Sequence, residues 1–326
     1  MKNFEHVDAL SLSEAISLLE YPGQSLAIAG GTDLLTQMKS RIVSPERIVN
    51  LKTIPELNAI RPNDRDGLRI GALTTLSDLA HDQIVRSRYP ALYQAIASAA
   101  TRQIRNQGTI GGNLLQGPRC WYYRGRFNCW LKGGETCYAR DGENSHHAIF
   151  SDGPCYMVHP SDMAPVLLAL GASIETIGPN GRRTMPLEQM YQAPHEGDRR
   201  PVTLQPQEII CSITVPAPAG DTRGIYLKAM DRRAWAFALV SVALQISLEG
   251  DQVKDARMVL GGVAPRPYPV PQAAAALRGK RIDEGLINET VDLAVTGARP
   301  LQRNKYKVPL TREMVKKALR ELIGLL

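Results

Sequence analysis

The sequence lacks an apolar run long enough to cross a membrane. The longest apolar segments among its 326 residues are "MAPVLLALGASI" (163–174) and "AFALVSVALQI" (236–246), and a spanning helix needs roughly 20 such residues. The first residues, "MKNFEHVDAL", carry charges where a secretory signal would have its apolar core. We therefore expect no membrane span and a cytoplasmic protein, although a complex can reach the periplasm on a partner's twin-arginine signal.

Basic clusters are also missing. The formal net charge is +7, from 39 Lys and Arg against 32 Asp and Glu, but the cations are scattered along the chain. A protein that reads DNA or RNA gathers its basic residues on one surface. We expect no nucleic-acid partner, and an acidic protein partner or no specific partner explains the charge equally well.

The order of patterns along the chain predicts an α+β fold. Residues 1–55 alternate helix and strand as a small α/β lobe, and "SLSE" has the spacing of a capping box. Residues 56–220 predict a second, larger α/β lobe, with one long helix over 89–107. Residues 221–326 combine strand-like alternation with three helical segments, which predicts a C-terminal domain of sheet plus helices.

Two glycine pairs are candidates for binding phosphate. Gly30-Gly31-Thr32 follows a predicted strand, and Gly111-Gly112-Asn113 follows a predicted helix. Backbone N–H groups at such turns bind anions, and glycine lets a phosphate come close. Two turns of this kind could hold the diphosphate of one dinucleotide, or each could be only a tight turn. The chain has no GxGxxG with an acid about 20 residues later, so an ordinary Rossmann site is disfavoured.

Five segments, taken together and in order, resemble a known family. They are "AGGTDLL", "QIRNQGTIGGNLLQ", "HPSDMAPVLLALGA", "EIICSITVP" and "YLKAMDRRAWAFALVSVA". They are similar to the FAD-binding subunit of the molybdenum hydroxylases, a family that includes xanthine and carbon monoxide dehydrogenases, aldehyde oxidoreductases and 4-hydroxybenzoyl-CoA reductase. The resemblance covers nearly the whole chain. It implies a two-lobed FAD-binding domain of the PCMH type over 1–220 and a C-terminal flavoprotein domain over 221–326.

The resemblance also implies which residues contact FAD. Asp162 matches an acid that contacts FAD, and Ile210 matches an apolar residue that packs on the isoalloxazine. Lys228 matches a lysine near the flavin, where a cation would stabilise the anionic reduced ring. Without the resemblance, Lys228 reads as a solvated strand lysine and Asp162 as a helix N-cap. The two glycine turns match the two diphosphate loops through Ala29, Gly30, Gly31, Thr32, Asp33 and Leu34, and through Thr109, Gly111, Gly112 and Asn113.

Four of the five cysteines, Cys120, Cys129, Cys137 and Cys155, lie in a long insertion at about 117–158. Simpler relatives run almost directly from the second turn to the "SD" motif, whereas here 47 residues separate Asn113 from Ser161. The gaps of 8, 7 and 17 residues between the cysteines fit neither a zinc ribbon nor a compact ferredoxin motif. Spacing alone leaves a metal centre, a structural zinc or disulfides open. The resemblance to the aldehyde oxidoreductase and 4-hydroxybenzoyl-CoA reductase subunits implies a [4Fe–4S] cluster held by these four cysteines.

The resemblance therefore implies an electron-transfer subunit with no catalytic side chain of its own. A large subunit would hold the molybdenum cofactor, a small subunit with [2Fe–2S] centres would deliver electrons to FAD, and an external, ferredoxin-like acceptor would receive them. Three alternatives remain. They are a free-standing FAD oxidase, a zinc-stabilised protein without the cluster, and a flavin subunit of a reductive enzyme fed by ferredoxin.

Overall fold

A three-stranded parallel sheet forms the N-terminal part of the chain. The computed structural model describes residues 1–63, 67–151, 153–232 and 234–324. Its first elements are β1 (Glu5–Asp8), α1 (Leu12–Leu18), β2 (Ser25–Ile28), α2 (Leu34–Lys39) and β3 (Arg47–Asn50). The strand order is β1–β3–β2, and Ser11 caps α1 by accepting a hydrogen bond from the N–H of Glu14. The predicted small α/β lobe is confirmed.

A five-stranded antiparallel sheet, in the order β4–β5–β8–β6–β7, organises the middle of the chain. Helices and the long insertion lie between its strands in sequence. The elements are β4 (Ile60–Pro62), β5 (Leu68–Gly71), α3 (Leu76–His81), α4 (Gln83–Arg88), α5 (Pro90–Ser98), α6 (Arg102–Arg105), α7 (Ile110–Leu114), α8 (Trp121–Arg124), α9 (Met163–Ala169), β6 (Ser173–Gly178), β7 (Gly181–Pro186) and β8 (Ile209–Val215).

The C-terminal part is a four-stranded antiparallel sheet covered by helices. Its elements are β9 (Asp221–Ala229), β10 (Val240–Glu249), β11 (Gln252–Gly261), β12 (Tyr268–Pro269), α10 (Pro271–Leu277), α11 (Glu284–Ala294) and α12 (Lys307–Leu322). Alternate residues of β10, such as Val242 and Leu244, share a core with these three helices. Ala243, on the other face, packs in the core that contains α9. The predicted domain of sheet plus helices is confirmed.

The single long helix predicted over 89–107 is wrong at its centre. Helix α5 ends at Ser98, and Ala100 takes a left-handed conformation with φ +49°. Thr101 then starts α6 by capping the N–H of Ile104, and the Arg105 guanidinium donates to the carbonyl of Ala99 at 2.6 Å. Local side-chain hydrogen bonds therefore outweigh the helical preference of the small residues around Ala99.

The insertion at 117–158 has little regular structure and is fixed by contacts with distant parts of the chain. Besides α8, it contains a single 3-10 turn at Trp130–Lys132 within the described ranges. Arg199 stacks over the Trp130 ring at 4.6 Å and donates to the carbonyls of Trp130 and Gly134. The C-terminal part also holds it, since Ile149 and Phe150 both donate to the carbonyl of Val263.

None of the described helices combines the length and the apolar character that crossing a bilayer needs.

Candidate cofactor site

The first glycine turn connects β2 to α2 and packs against the segment before the second turn. A Cβ atom on Gly30 would lie 1.7 Å from the carbonyl oxygen of Gln107, so only glycine fits there. Gly31 has φ +69°, a conformation that glycine adopts at little cost. The sequence therefore has two adjacent glycines because the first makes a close contact and the second makes a sharp turn.

The backbone N–H groups of this turn are free to bind a ligand. Among the residues that the structure describes, none accepts a hydrogen bond from the N–H of Gly30, Gly31 or Thr32. Consecutive free amides of this kind form a concave site for an anion. The turn therefore offers what a diphosphate requires.

The second turn is built differently, because its backbone amides already have partners within the chain. The N–H of Gly111 donates to the carbonyl of Ala72, and that of Asn113 to the carbonyl of Thr109. Gly112 donates to the Thr109 side chain, which caps α7. These amides are used inside the chain because α7 begins at the turn. The second turn can therefore let a ligand come close to its glycines, and it offers the Asn113 side chain. The Ser161 hydroxyl donates to Asn113 Oδ1 at 2.6 Å.

Two cavities of about 260 and 310 Å3 meet at the two turns. Thr32, Asp33, Thr109, Gly112 and Gln116 line both cavities. The predicted residues in the first cavity are Ala29, Gly30, Gly31, Thr32, Asp33, Leu34, Thr109, Gly111, Gly112 and Ile210. Those in the second are Thr32, Asp33, Thr109, Gly112, Asn113 and Asp162. The structure thus brings both turns together as the shared wall of a two-part site.

Asp162 and Lys228 form a buried ion pair at the second cavity. Lys228 Nζ lies 2.8 Å from Asp162 Oδ2, and both side chains are less than one-tenth exposed. Tyr226 donates to the other carboxylate oxygen at 2.7 Å, and Lys228 also donates to the carbonyl of Ser98. Burial raises the pKa of Asp162, and the attraction of Lys228 opposes that rise. Lys228 is therefore not a solvated strand lysine.

Only one of the two residues expected beside the isoalloxazine lines a cavity at the turns. Ile210, in β8, is 3% exposed and lines the first cavity. Lys228 lines neither cavity, and it contacts Asp162, which lines the second.

Asp33 belongs to the first turn, but its carboxylate binds the insertion. It pairs with Arg119 at 3.0 Å and with Arg124 at 2.8 Å. It also accepts from the N–H of Gly117 and the side chain of Gln37, both at 2.8 Å. The Asp33 carboxylate already accepts from four donors, and its charge would repel a phosphate. Asp33 therefore links the turn to the cysteine-rich insertion.

The four clustered cysteines lie close to one another. The neighbouring Cys155 thiol lowers the pKa of Cys137. Burial is the main reason that the pKa of Cys120 rises to about 11, and the negative charges of Cys137 and Cys129 add to this rise. All of them are free thiols. Trp130 and Met157 pack beside Cys155 and Cys137 and shield them from water.

The described ranges hold no three His, Cys, Asp or Glu side chains arranged around one metal-ion position. Cys120 does have a further neighbour, because His147 Nε2 lies 3.2 Å from its sulfur. The fifth cysteine, Cys211, is elsewhere. It is buried in β8 beside the first sheet's core, where burial raises its pKa to about 11.

Sequence reasoning missed several residues that line the site. Trp235 and Phe237 border the second cavity, although both rings are well exposed. Arg119 lies over the Phe237 ring at 4.8 Å. Trp235 and Phe237 could have been found from the sequence, because they are aromatic residues in an exposed segment. Ala99 and Ala100 give no such signal, because they line the cavity only where the helix breaks.

Two cavities that share a wall at a turn with free amides have the form that a dinucleotide site requires. Comparison with known proteins identifies its class. The family model described as the FAD binding domain in molybdopterin dehydrogenase matches residues 2–218. The model for the CO dehydrogenase flavoprotein C-terminal domain matches residues 225–322.

The chain is similar to subunits of several oxidoreductases over nearly its whole length. It is 36% identical to the aldehyde oxidoreductase FAD-binding subunit PaoB of Escherichia coli, with 98% of each chain covered. It is 28% identical to the glyceraldehyde dehydrogenase medium chain of Sulfolobus acidocaldarius, over 96% of this chain and 94% of that one. A solved carbon monoxide dehydrogenase from Hydrogenophaga pseudoflava shares 29% identity with a TM-score of 0.79, covering 99% and 98% of the two chains.

The chain belongs to the family of FAD-binding subunits of molybdopterin dehydrogenases. The resemblance drawn from the five segments is confirmed, as are the α+β fold and the assignment to an oxidoreductase subunit.

Proposed function

We propose that this chain is the FAD-carrying, electron-transfer subunit of a molybdenum-containing aldehyde or aromatic oxidoreductase. The observation that carries the proposal is the row of free N–H groups at Gly30, Gly31 and Thr32, at the junction of two cavities. The names of the similar aldehyde oxidoreductase and glyceraldehyde dehydrogenase subunits favour an aldehyde as the substrate of the complex.

FAD would lie across the two turns. Its diphosphate would accept hydrogen bonds from the free amides of the first turn, with Gly112 leaving room on the other side. The isoalloxazine would pack on Ile210 in the first cavity, which is lined by apolar residues of β2 and β8. The adenosine end would then lie in the second cavity near Asp162. In this orientation Lys228 neutralises Asp162 and does not contact the flavin, which revises the role that the resemblance implies.

The partners follow from this role. When bound, FAD accepts two electrons and returns them to other redox centres. A small subunit with [2Fe–2S] centres would supply them, a large subunit with the molybdenum cofactor would oxidise the substrate, and a ferredoxin-like protein is the proposed external acceptor. The residues of this chain bind and orient the flavin, and none of them needs to touch the organic substrate.

We propose further that Cys120, Cys129, Cys137 and Cys155 hold a [4Fe–4S] cluster. The donor set fits, because the insertion supplies four free thiols and two of them, Cys137 and Cys155, pack with Trp130 and Met157.

Quantitative analysis of the complex, purified with its partner subunits, tests both proposals. The expected result is FAD equimolar with this chain, and iron with acid-labile sulfide in excess of what the [2Fe–2S] subunit holds. A complex without FAD would contradict the flavin site. Iron that is accounted for entirely by the small subunit would contradict the cluster.

The orientation of FAD has its own test. The FAD-free protein is reconstituted with an FAD analogue that carries a photoreactive azide on the flavin ring, illuminated, and mapped by mass spectrometry. Labels are expected on peptides containing residues 27–34 or 206–210. Labels confined to residues 99–104 or 235–237 would reverse the proposed orientation.

A further inference from the structure

His147, in the insertion, lies directly against one of the four clustered cysteines. Its Nε2 is 3.2 Å from Sγ of Cys120, and the residue is 2% exposed. A thiol and an imidazole this close can form a nucleophile with its base, or the imidazole can donate a hydrogen bond to a sulfur that binds a metal. The partner of the other ring nitrogen distinguishes the two roles.

The surroundings of the ring do not provide an activated cysteine. The base that activates a nucleophile is itself oriented by a third group, which bonds its other ring nitrogen. No described residue bonds Nδ1 of His147 in this way.

Of the two ring nitrogens of His147, only Nε2 has a hydrogen-bond partner among the described residues. The buried Nδ1 of His147 has no hydrogen-bond partner among the described residues, whereas Nε2 faces the sulfur. A proton on Nε2 therefore makes the one hydrogen bond that this ring can form, with Cys120 as the acceptor.

The C-terminal part of the chain fixes the position of the ring. Asn304 Nδ2 donates to the carbonyls of His147 and Ala148, both at 3.0 Å. The fully buried Lys307 donates to the carbonyls of His146 and Gly262 at 3.1 and 2.7 Å. Because Asn304 and Lys307 hold the backbone around His147, they fix the point from which the imidazole reaches the sulfur.

We propose that His147 is a positioning residue that donates a hydrogen bond from Nε2 to the Cys120 thiolate and thereby raises the reduction potential of the cluster, an inference that rests on the proposed [4Fe–4S] site. Reduction adds one electron to the cluster and makes its ligand sulfurs more negative. An N–H directed at a sulfur stabilises that added charge. No bond breaks and no proton moves in this step.

The test is a redox titration of the purified complex, followed by electron paramagnetic resonance of the reduced cluster. Three variants are compared with the wild type. His147→Leu removes the donor, and His147→Gln keeps an N–H on a side chain of similar length. His146→Leu is the matched control, since His146 is the exposed neighbour and its ring contacts Trp121 edge-on.

We expect His147→Leu to retain its iron and to titrate at a more negative potential. At a fixed potential the ratio of reduced to oxidised cluster should fall about tenfold, which is about 59 mV for a one-electron couple. His147→Gln should lie between this variant and the wild type, and His146→Leu should titrate as the wild type does.

Each other outcome overturns the inference in a distinguishable way. An unchanged potential in His147→Leu with full iron would refute the hydrogen bond and leave the cluster proposal intact. Loss of iron in both His147 variants would make the imidazole a ligand or a structural residue. A wild-type complex without the additional iron and sulfide would refute the proposed cluster itself, and the inference with it.

Discussion

Asp33 and Arg124 form an ion pair with 2.8 Å between Oδ1 and Nη2, and neither side chain is more than one-fifth exposed. Asp33 follows the glycine turn of the proposed FAD site, and Arg124 ends the first helix of the cysteine-rich insertion. The pair joins two parts of the chain that are 91 residues apart. Through this ion pair, the folding of the insertion and the position of the first turn depend on each other.

Asp33→Asn should loosen the insertion and weaken FAD binding. The substitution leaves Arg119 and Arg124 without a counter-charge, which should lower the free energy of unfolding by roughly 1–3 kcal/mol. Urea denaturation measures this loss, and limited proteolysis should show earlier cleavage within residues 117–124. Glu5→Gln is the matched control, because its pair with Arg47 is exposed and should contribute less than about 1 kcal/mol. Equal stability losses in the two variants would contradict the coupling.

Cys137→Ser should remove the iron of the insertion and leave most of the FAD. The FAD turn keeps its contacts with Arg119 and Arg124, since neither depends on the Cys137 sulfur. Iron and flavin are measured on the same purified sample. Cys211→Ser, a change to a buried cysteine outside the insertion, should keep both. If Cys137→Ser loses its flavin completely, the two sites are one folding unit.

Lys307 should make stability rise with pH above neutrality. Burial lowers its pKa to about 7, whereas an unfolded lysine has a pKa of about 10.4. Between these values the unfolded chain binds more protons, so raising the pH favours the folded state by up to about 1.4 kcal/mol per pH unit.

Unfolding free energies of Lys307→Met at pH 7 to 9 test this dependence. The variant should lose the part of the slope that Lys307 causes, even if the loss of two hydrogen bonds lowers its stability at every pH. Lys254→Met, which changes an exposed lysine, should keep the wild-type slope. An unaltered slope in Lys307→Met would show that Lys307 is already neutral, or still charged, throughout this range.

Lys228→Met should be among the most damaging single changes near the site. It leaves the Asp162 carboxylate buried without its counter-charge, which typically costs about 3–5 kcal/mol. The double variant Lys228→Met with Asp162→Asn should recover much of that loss, because no uncompensated charge remains. A double-mutant cycle from urea denaturation measures the coupling. Independent, additive losses would contradict the buried pair.

Local patterns predict much of this fold. The capping box at Ser11 and Glu14 marks the start of α1, and the alternation along β10 marks a sheet with two different faces. These features need only the spacing of residues and the burial of one face. The glycine turn at Gly30 was also visible, because two adjacent glycines lie between a predicted strand and a predicted helix.

Long-range contacts were not visible in the sequence. Asp33 matches a diphosphate loop, yet its carboxylate faces Arg124, which lies far along the chain. The break at Ala100 depends on hydrogen bonds that Thr101 and Arg105 make only after the chain folds. Nothing in the spacing of the cysteines indicates that His147 would be held against Cys120. Such pairings are set by tertiary packing, which overrides local preference.

The affinity of the FAD-free chain for FAD in Gly30→Ala tests the central claim most directly. A Cβ at this position would meet the carbonyl of Gln107 at 1.7 Å and displace the free amides of the first turn. Gly178→Ala is the control, because its added Cβ would make only ordinary contacts at 3.6 Å or more. We predict that the Kd for FAD rises at least about tenfold in Gly30→Ala, a loss of about 1.4 kcal/mol, and stays unchanged in Gly178→Ala. Equal affinity in Gly30→Ala and the wild type would contradict the placement of the diphosphate at this turn.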